Sequence, residues 1–372
     1  MRKLIPYIHQ LPNWPQFTWD HEKLAKPLAA LRYRQGRIVG RMENLGFSLR
    51  AEAILQTLTL DVLKSSEIEG EILNADQVRS SIARRLGMDI AGLIAADRHV
   101  EGVVEMMIDA TQQYDTPLTD KRLFNWHAAL FPTARSGMHK IVVGAWRTNT
   151  DDDPMQVVSG PLGKERVHFK APPSAGLSKE MKLFLHWFNS TVDIDPVIKA
   201  AVAHLWFVTI HPFDDGNGRI ARAITDMQLS RADVSAQRFY SMSAQIRKER
   251  NAYYTSLETA QKGSLDITGW IQWFFACLER ALTDVDQTLG AVLLKARFWE
   301  QHKTTVLNER QKEMLNKLLH QFEGNLTSSK WAKMAKCSQD TALRDIQDLV
   351  NKNILMKEES GGRSTNYILK AA

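Results

Sequence analysis

Cysteine is nearly absent from this 372-residue chain: only Cys277 and Cys337 occur, without metal-site spacing or the makings of a disulfide framework. Such usage fits a reducing compartment, and a cytoplasmic location is the expectation. Long apolar runs are missing too, since no stretch reaches the roughly 18 uninterrupted apolar residues of a membrane span. The chain opens Met1-Arg2-Lys3-Leu4-Ile5, but Pro6, His9 and Pro12 prevent a signal-peptide core, and neither membrane association nor export is expected. Neither charge sign dominates: 48 basic against 42 acidic side chains leave +6. That mild excess suits an anionic partner such as a nucleotide or nucleic acid without identifying one. Internal repeats and low-complexity stretches are lacking, and no His-Glu-x-x-His spacing supports a zinc site.

What is present is mostly helical. The length suits two or three domains of about 150 residues with a substantial core. Up to about residue 20, Pro6, Tyr7, Pro12, Trp14, Pro15, Phe17 and Trp19 describe an irregular arm whose aromatics need burial on a globular body. Three- and four-residue spacing comes next in Ile54, Leu55, Leu58, Val62 and Leu63, and in Val100, Val103, Val104 and Met107. Gly70 reads as a helix stop and Asn74 as the next N-cap. Between about 132 and 173 the helical period is lost, and Val157-Val158 and Val167-His168-Phe169 flank a turn region at Ser159 to Arg166, the pattern of a β-hairpin. Helical segments return near 178–193, 196–210, 219–231, 247–262 and 266–300. The spacing predicts an all-α body with one hairpin flap. The last 65 residues read as three helices, at Leu307 to Gln321, from Thr327, and at Ser338 to Lys352. Strands at Ile354 to Lys357 and Asn366 to Leu369 flank a turn at Ser360 to Ser364, an order resembling a winged helix.

Between two of these helices lies His211-Pro212-Phe213-Asp214-Asp215-Gly216-Asn217-Gly218-Arg219-Ile220-Ala221-Arg222. Gly216-Asn217-Gly218 can take backbone angles closed to bulkier residues, and a helix starting near Arg219 directs unpaired amides at that turn, an anion cradle. Arg219 and Arg222, three apart on the helix surface, can hold phosphate oxygens together. Asp215 offers the hard oxygen that Mg²⁺ takes alongside substrate phosphates. His211 is the side-chain type that accepts a proton near neutrality. Together they point to transfer of part of a nucleotide onto a hydroxyl. Each has a plainer reading: a histidine before proline is ordinarily a loop or capping residue, Asp-Gly a turn, Phe213 a buried anchor, and His204 a satisfied core histidine.

The same stretch resembles the active-site signature HPFx(D/E)GNGRxxR of the Fic family, with every fixed position present. The resemblance implies a Fic helical core that transfers AMP from ATP to a protein Ser, Thr or Tyr hydroxyl. It makes His211 the general base, Asp215 the Mg²⁺ ligand, Gly216, Asn217, Gly218 and Arg219 the site of the α- and β-phosphates, and Arg222 that of the γ-phosphate. The hairpin with Val157, Val158 and His168 becomes a flap that clamps the target by strand addition. Tyr253, Tyr254 and Gln261 fall on the helix that borders the adenosine pocket in similar proteins. Glycine at 218 disfavours the kinase branch, which has lysine there. Homodimers are common among similar proteins.

Lys64 to Gly70 closes the helix that begins near Leu49, which sets Glu67 and Glu69 against the negative end of a helix dipole, unfavourable by a few tenths to about 1 kcal/mol without a compensating cation. The segment is similar to the family's inhibitory pattern (S/T)xxxE(G/N), with Ser65, Glu69 and Gly70 at its fixed places, which implies that Glu69 pairs with Arg222 and obstructs the γ-phosphate. The resulting organisation is a helical region at 1–115 with the inhibitory helix, a catalytic core at 116–300 and a winged-helix-like domain at 301–372. A competing reading is a nucleic-acid-binding regulator with a vestigial Fic core, though Asp340, Asp345 and Asp348 on the third C-terminal helix oppose phosphate contact. Removal of AMP, or use of another nucleotide, is equally compatible with the motif.

Overall fold

The computed structural model describes residues 7–43, 47–88, 92–150, 152–160, 164, 166–319, 322, 324–358 and 365–370, with backbone alone for 43, 47–49, 286–293, 295 and 296. Helices dominate, and the chain divides into two compact units, 1–285 and 286–372. Among the described residues no helix is long and apolar enough to cross a membrane.

In the first unit the helix Pro196–Ile210 is apolar almost all round, the composition of an element with no solvent face. Asp195 accepts the Val197 amide at 2.8 Å and Pro196 occupies the first helical position, so the start is fixed locally. The helix Asn217–Asp233 packs along it and is buried over most of its length, which places Arg219, Arg222, Thr225 and Asp226 in the interior. Helices Phe47–Ile68, Arg98–Gln112 and Asp120–Leu130 pack around this pair. Gly70, at φ +87°, ends the turn after Ile68, and Asn74 caps Ala75–Arg85 by accepting the Gln77 amide at 3.0 Å, as the sequence indicates. The aromatic arm is seated: Trp14 donates to Glu180 at 3.0 Å, and Trp14 and Phe17 both pack edge-on against Trp206.

Two differences from the sequence reading have local causes. The segment near 247–262 is two helices, Met242–Lys248 and Arg250–Gln261, broken at Glu249; the first starts where Ser241 accepts the Ala244 amide at 2.9 Å, a cap the periodicity does not reveal. Besides the expected hairpin of Gln156–Ser159 with Arg166–Lys170, a second pairs Arg135–Ser136 with His139–Lys140, strands too short to show alternation. Part of the turn between Ser159 and Arg166 lies outside the described residues.

The second unit contains the helices Glu309–Leu318, Ser328–Met334 and Gln339–Asn351, each opened by a side-chain cap, at Asn308, Thr327 and Ser338. Leu355–Lys357 and Tyr367–Leu369 then pair antiparallel. Its own core gathers Met314, Leu315, Trp331, Ile346, Leu349 and Leu355. The turn expected at Ser360 to Ser364 lies outside the described residues.

Candidate active site

His211 sits at the C-terminal end of Pro196–Ile210 in the left-handed region, φ 52°, an uncommon conformation for a residue with a side chain. Three contacts from Arg147 hold it there: its Nε donates to the His211 carbonyl at 2.7 Å, its Nη2 to the Pro172 carbonyl at 2.6 Å, and its backbone amide to the Pro212 carbonyl at 3.0 Å. The His211 ring donates from Nδ1 to the Val208 carbonyl at 3.2 Å, which leaves Nε2 as the acceptor. Burial, assisted by the Arg147 charge, lowers its pKa to about 4, so the ring is neutral near pH 7.

The motif loop is built from inside. The Asn217 side chain accepts the Phe213 amide at 3.0 Å and donates to the Phe213 carbonyl at 2.8 Å. Its amide group therefore closes the loop, and what it offers an anion is backbone. Phe213 stacks on His127 at 4.2 Å, and His127, accepting from the Gly144 amide at 3.3 Å, donates from Nε2 to the Asp215 carbonyl at 3.2 Å. Gly216 adopts φ +81°, and a Cβ there would meet the Phe131 ring at 2.8 Å, so only glycine fits.

Beyond this turn the first amides of Asn217–Asp233 open onto a cradle flanked by both motif arginines. Arg222, 2 % exposed, donates to Ser65 Oγ at 2.8 Å, to the Ser65 carbonyl at 2.9 Å and to Glu69 Oε1 at 2.8 Å. The Glu69 carboxylate lies directly over Gly218, where a Cβ would run into Oε1. A carboxylate thus stands where the cradle would hold an anion. Arg219 is engaged in parallel: it donates to Glu71 at 2.7 Å, Glu71 meets His99 at 3.3 Å, and the guanidinium lies 5.0 Å over Phe131. The hydrogen bond to Glu71 raises the His99 pKa. Glu67 pairs with Lys64 at 2.6 Å and Arg247 at 3.4 Å. Both glutamates at the helix end have the cations that the dipole argument requires. Arg219 Nε and Arg222 Nη1 are buried without a hydrogen-bond partner among the described residues, donors suited to a bound anion.

Asp215 Oδ1 accepts the Gly216 amide at 2.6 Å, and Oδ2 accepts the Ser136 hydroxyl of the unanticipated hairpin. No cluster of three or more potential metal ligands exists among the described residues. A single carboxylate beside a phosphate cradle fits a cation held jointly with a nucleotide rather than in a protein cage.

The flap strand Gln156–Ser159 carries a register shift between Val157 and Val158, and Val158 is 48 % exposed. His168 is engaged within the fold, between Ser159 at 2.6 Å and Glu258 at 3.1 Å, which ties the hairpin to the helix Arg250–Gln261. On that helix Tyr254 is partly exposed with Arg250 over its ring, while Gln261 is buried and donates to Thr209 at 3.4 Å. Tyr253 is buried and its hydroxyl meets His204 at 2.8 Å. Arg147, His127, Glu71, His99 and Ser136 escape sequence reasoning, because each is a lone polar residue whose partner lies tens of positions away.

Comparison with known proteins agrees with this geometry. Residues 117–229 match the Fic/DOC family, and residues 7–88 match a domain of unknown function, DUF4172. The chain is similar to proteins named Protein adenylyltransferase Fic, 30 % identical over 227 residues in Aedes aegypti and 28 % over 230 residues in Drosophila virilis; each match covers 59 % of this chain. It spans only about two fifths of those relatives, 40 % and 41 % of their length. In fold it resembles a crystal structure of a Fic family protein from Desulfovibrio desulfuricans, with TM-score 0.52, 20 % identity and 93 % and 96 % of the two chains covered. A Fic-domain signaling protein from Bacteroides thetaiotaomicron gives TM-score 0.50 and 21 % identity over 71 % of this chain and 97 % of its own. On its loop, its cradle and these likenesses, the chain carries a Fic/DOC-family domain at residues 117–229.

Proposed function

We propose that the protein is an adenylyltransferase that moves AMP from ATP to a Ser, Thr or Tyr hydroxyl of a protein and is held inactive by Glu69 pairing with Arg222. The observation that carries this reading is the Glu69 carboxylate, bound to Arg222 at 2.8 Å over Gly218. It fills the anion cradle of a site that has a neutral histidine at its edge.

In the reaction, the acceptor oxygen attacks the α-phosphorus, its proton passes to His211 Nε2, and the bond from the α-phosphorus to the pyrophosphate oxygen breaks. The first amides of Asn217–Asp233 and Arg219 hold the α- and β-phosphates, and Arg222, once released, holds the γ-phosphate. Asp215 would hold Mg²⁺, which when bound offsets charge on the phosphates. Arg147 and His127 keep the loop in the geometry this requires. The partly exposed two-stranded flap leaves backbone for an incoming target strand. His168 then acts as the flap's anchor to Glu258, and Tyr254 and Gln261 as neighbours of the adenosine.

The second unit, with three helices before a two-stranded hairpin, is read as a winged helix. Asp345 is buried against Arg310 at 3.0 Å, and the half-exposed Asp348 meets Gln311 at 2.8 Å and Lys352 at 2.5 Å, so both acids are paired within the unit. Docking of protein, self-association as a homodimer and contact with nucleic acid are all roles for this unit; a cytoplasmic setting suits them. Transfer from labelled ATP by the Glu69→Gly chain, lost in Glu69→Gly/His211→Ala while nucleotide still binds, tests the proposal. Label on nucleic acid or none at all contradicts it.

A further inference from the structure

The short hairpin that pairs Arg135–Ser136 with His139–Lys140 grips both consecutive aspartates of the motif loop. The Val142 amide, just past its second strand, donates to Asp214 Oδ2 at 2.8 Å, and the Ser136 hydroxyl, in its first strand, donates to Asp215 Oδ2. A hydroxyl has one hydrogen and an ionised carboxylate can only accept, so the direction of the Ser136 bond is fixed. The other Asp215 oxygen, Oδ1, accepts the Gly216 amide at 2.6 Å. Each carboxylate oxygen therefore has a donor, and the two donors come from separate segments of the chain. Rotation about the Asp215 Cβ–Cγ bond, a torsion that is otherwise broad and soft, is opposed at both ends. Each oxygen still keeps a further lone pair.

That arrangement matters for a cation shared with a nucleotide, which takes one or two carboxylates and completes its shell with phosphate oxygens and water. Where a single carboxylate supplies the protein's share, its rotation decides how well that share fits. Groups that hydrogen-bond a ligating carboxylate orient it, and their loss typically costs about 10- to 100-fold in metal affinity. We propose that Ser136 is a positioning residue: its hydroxyl, with the Gly216 amide, holds the Asp215 carboxylate in one rotation for the Mg²⁺ that arrives with ATP. The inference rests on the assignment of Asp215 to that cation. A hydroxyl that only docks the hairpin is the plainer role, but the Val142 bond to Asp214 docks it without using Ser136.

The test uses the full chain in the Glu69→Gly background and calorimetric affinities for a non-hydrolysable ATP analogue, once with Mg²⁺ and once with EDTA. The readout is the gain in affinity that Mg²⁺ brings. Asp215→Ala is expected to abolish that gain. Ser136→Ala is expected to lower it about tenfold while affinity in EDTA stays within about twofold, and Ser136→Thr, which keeps a hydroxyl, is expected to retain it. A docking role alone would weaken binding equally with and without the metal, and that result overturns the proposal. So does a full gain in Ser136→Ala when Asp215→Ala has lost it. If Asp215→Ala also keeps the gain, the assignment of Asp215 to the cation falls and the inference with it, while transfer by the Glu69→Gly chain is judged separately. Should Ser136→Ala fail to fold, Ser136→Val against Ser136→Thr decides, since the two side chains share a shape and differ in the hydroxyl: a gain lower in the valine variant supports the role, and equal gains overturn it.

Discussion

Replacing Glu69 by glycine removes one bond from Arg222 and leaves the two from Ser65, so the variant is expected to fold. The size of the effect is set by burial. A hydrogen bond to a charged group contributes about 1.5–3 kcal/mol. The Glu69 side chain is 33 % exposed against 2 % for Arg222, and screening places the latch at the lower end, about 1.5–2 kcal/mol. If the latched state predominates, its loss raises the population able to seat the γ-phosphate about 10- to 30-fold. Initial rates of transfer from α-labelled ATP at saturating nucleotide and Mg²⁺, compared between the native chain and Glu69→Gly, should differ by that factor. Circular dichroism melts confirm that both are folded. Equal rates in two folded proteins would refute the latch.

Gly218→Ala sets a Cβ against the Glu69 carboxylate. Its cost in stability should be larger in the native chain than beside Glu69→Gly, and additive costs in that double-mutant cycle would contradict the placement of Glu69 over the cradle. The His211 ring, at about pKa 4, should be neutral at pH 6.5 with its proton on Nδ1, as nitrogen-15 NMR reports; a half-protonated ring there argues against the buried base. His127 and His204 have folded pKa values near 4 and 3, both depressed below the ordinary 6.5. The stability they contribute is whole above pH 6.5 and is lost progressively as pH falls from 6.5 to the folded values. At pH 5.5 the two together should withdraw about 2–3 kcal/mol, seen as a lower urea midpoint than at pH 7.5. An unchanged midpoint would mean that neither ring is held neutral.

The helices of the first unit and the motif loop can be read from the sequence because their determinants are local: a capping Asp195 before Pro196, glycine at 216, a base and a carboxylate four positions apart. The Glu69–Arg222 pair spans 153 positions and is legible only through a short pattern and the dipole argument, which requires a cation at the end of Phe47–Ile68. Glu71 on Arg219, Arg147 around His211 and His127 behind Phe213 leave no periodic trace, because single polar side chains acquire meaning only when packing brings distant segments together. His168 illustrates the reverse: its place on the flap can be read, but its engagement with Glu258, from another helix, cannot.

The central claim is tested most directly by intact-mass spectrometry of proteins from a lysate incubated with the Glu69→Gly chain, ATP and Mg²⁺. The account predicts a protein gaining the mass of one AMP, with no such adduct when His211→Ala is added. An adduct that persists without His211, or a folded Glu69→Gly chain that modifies nothing, would contradict it.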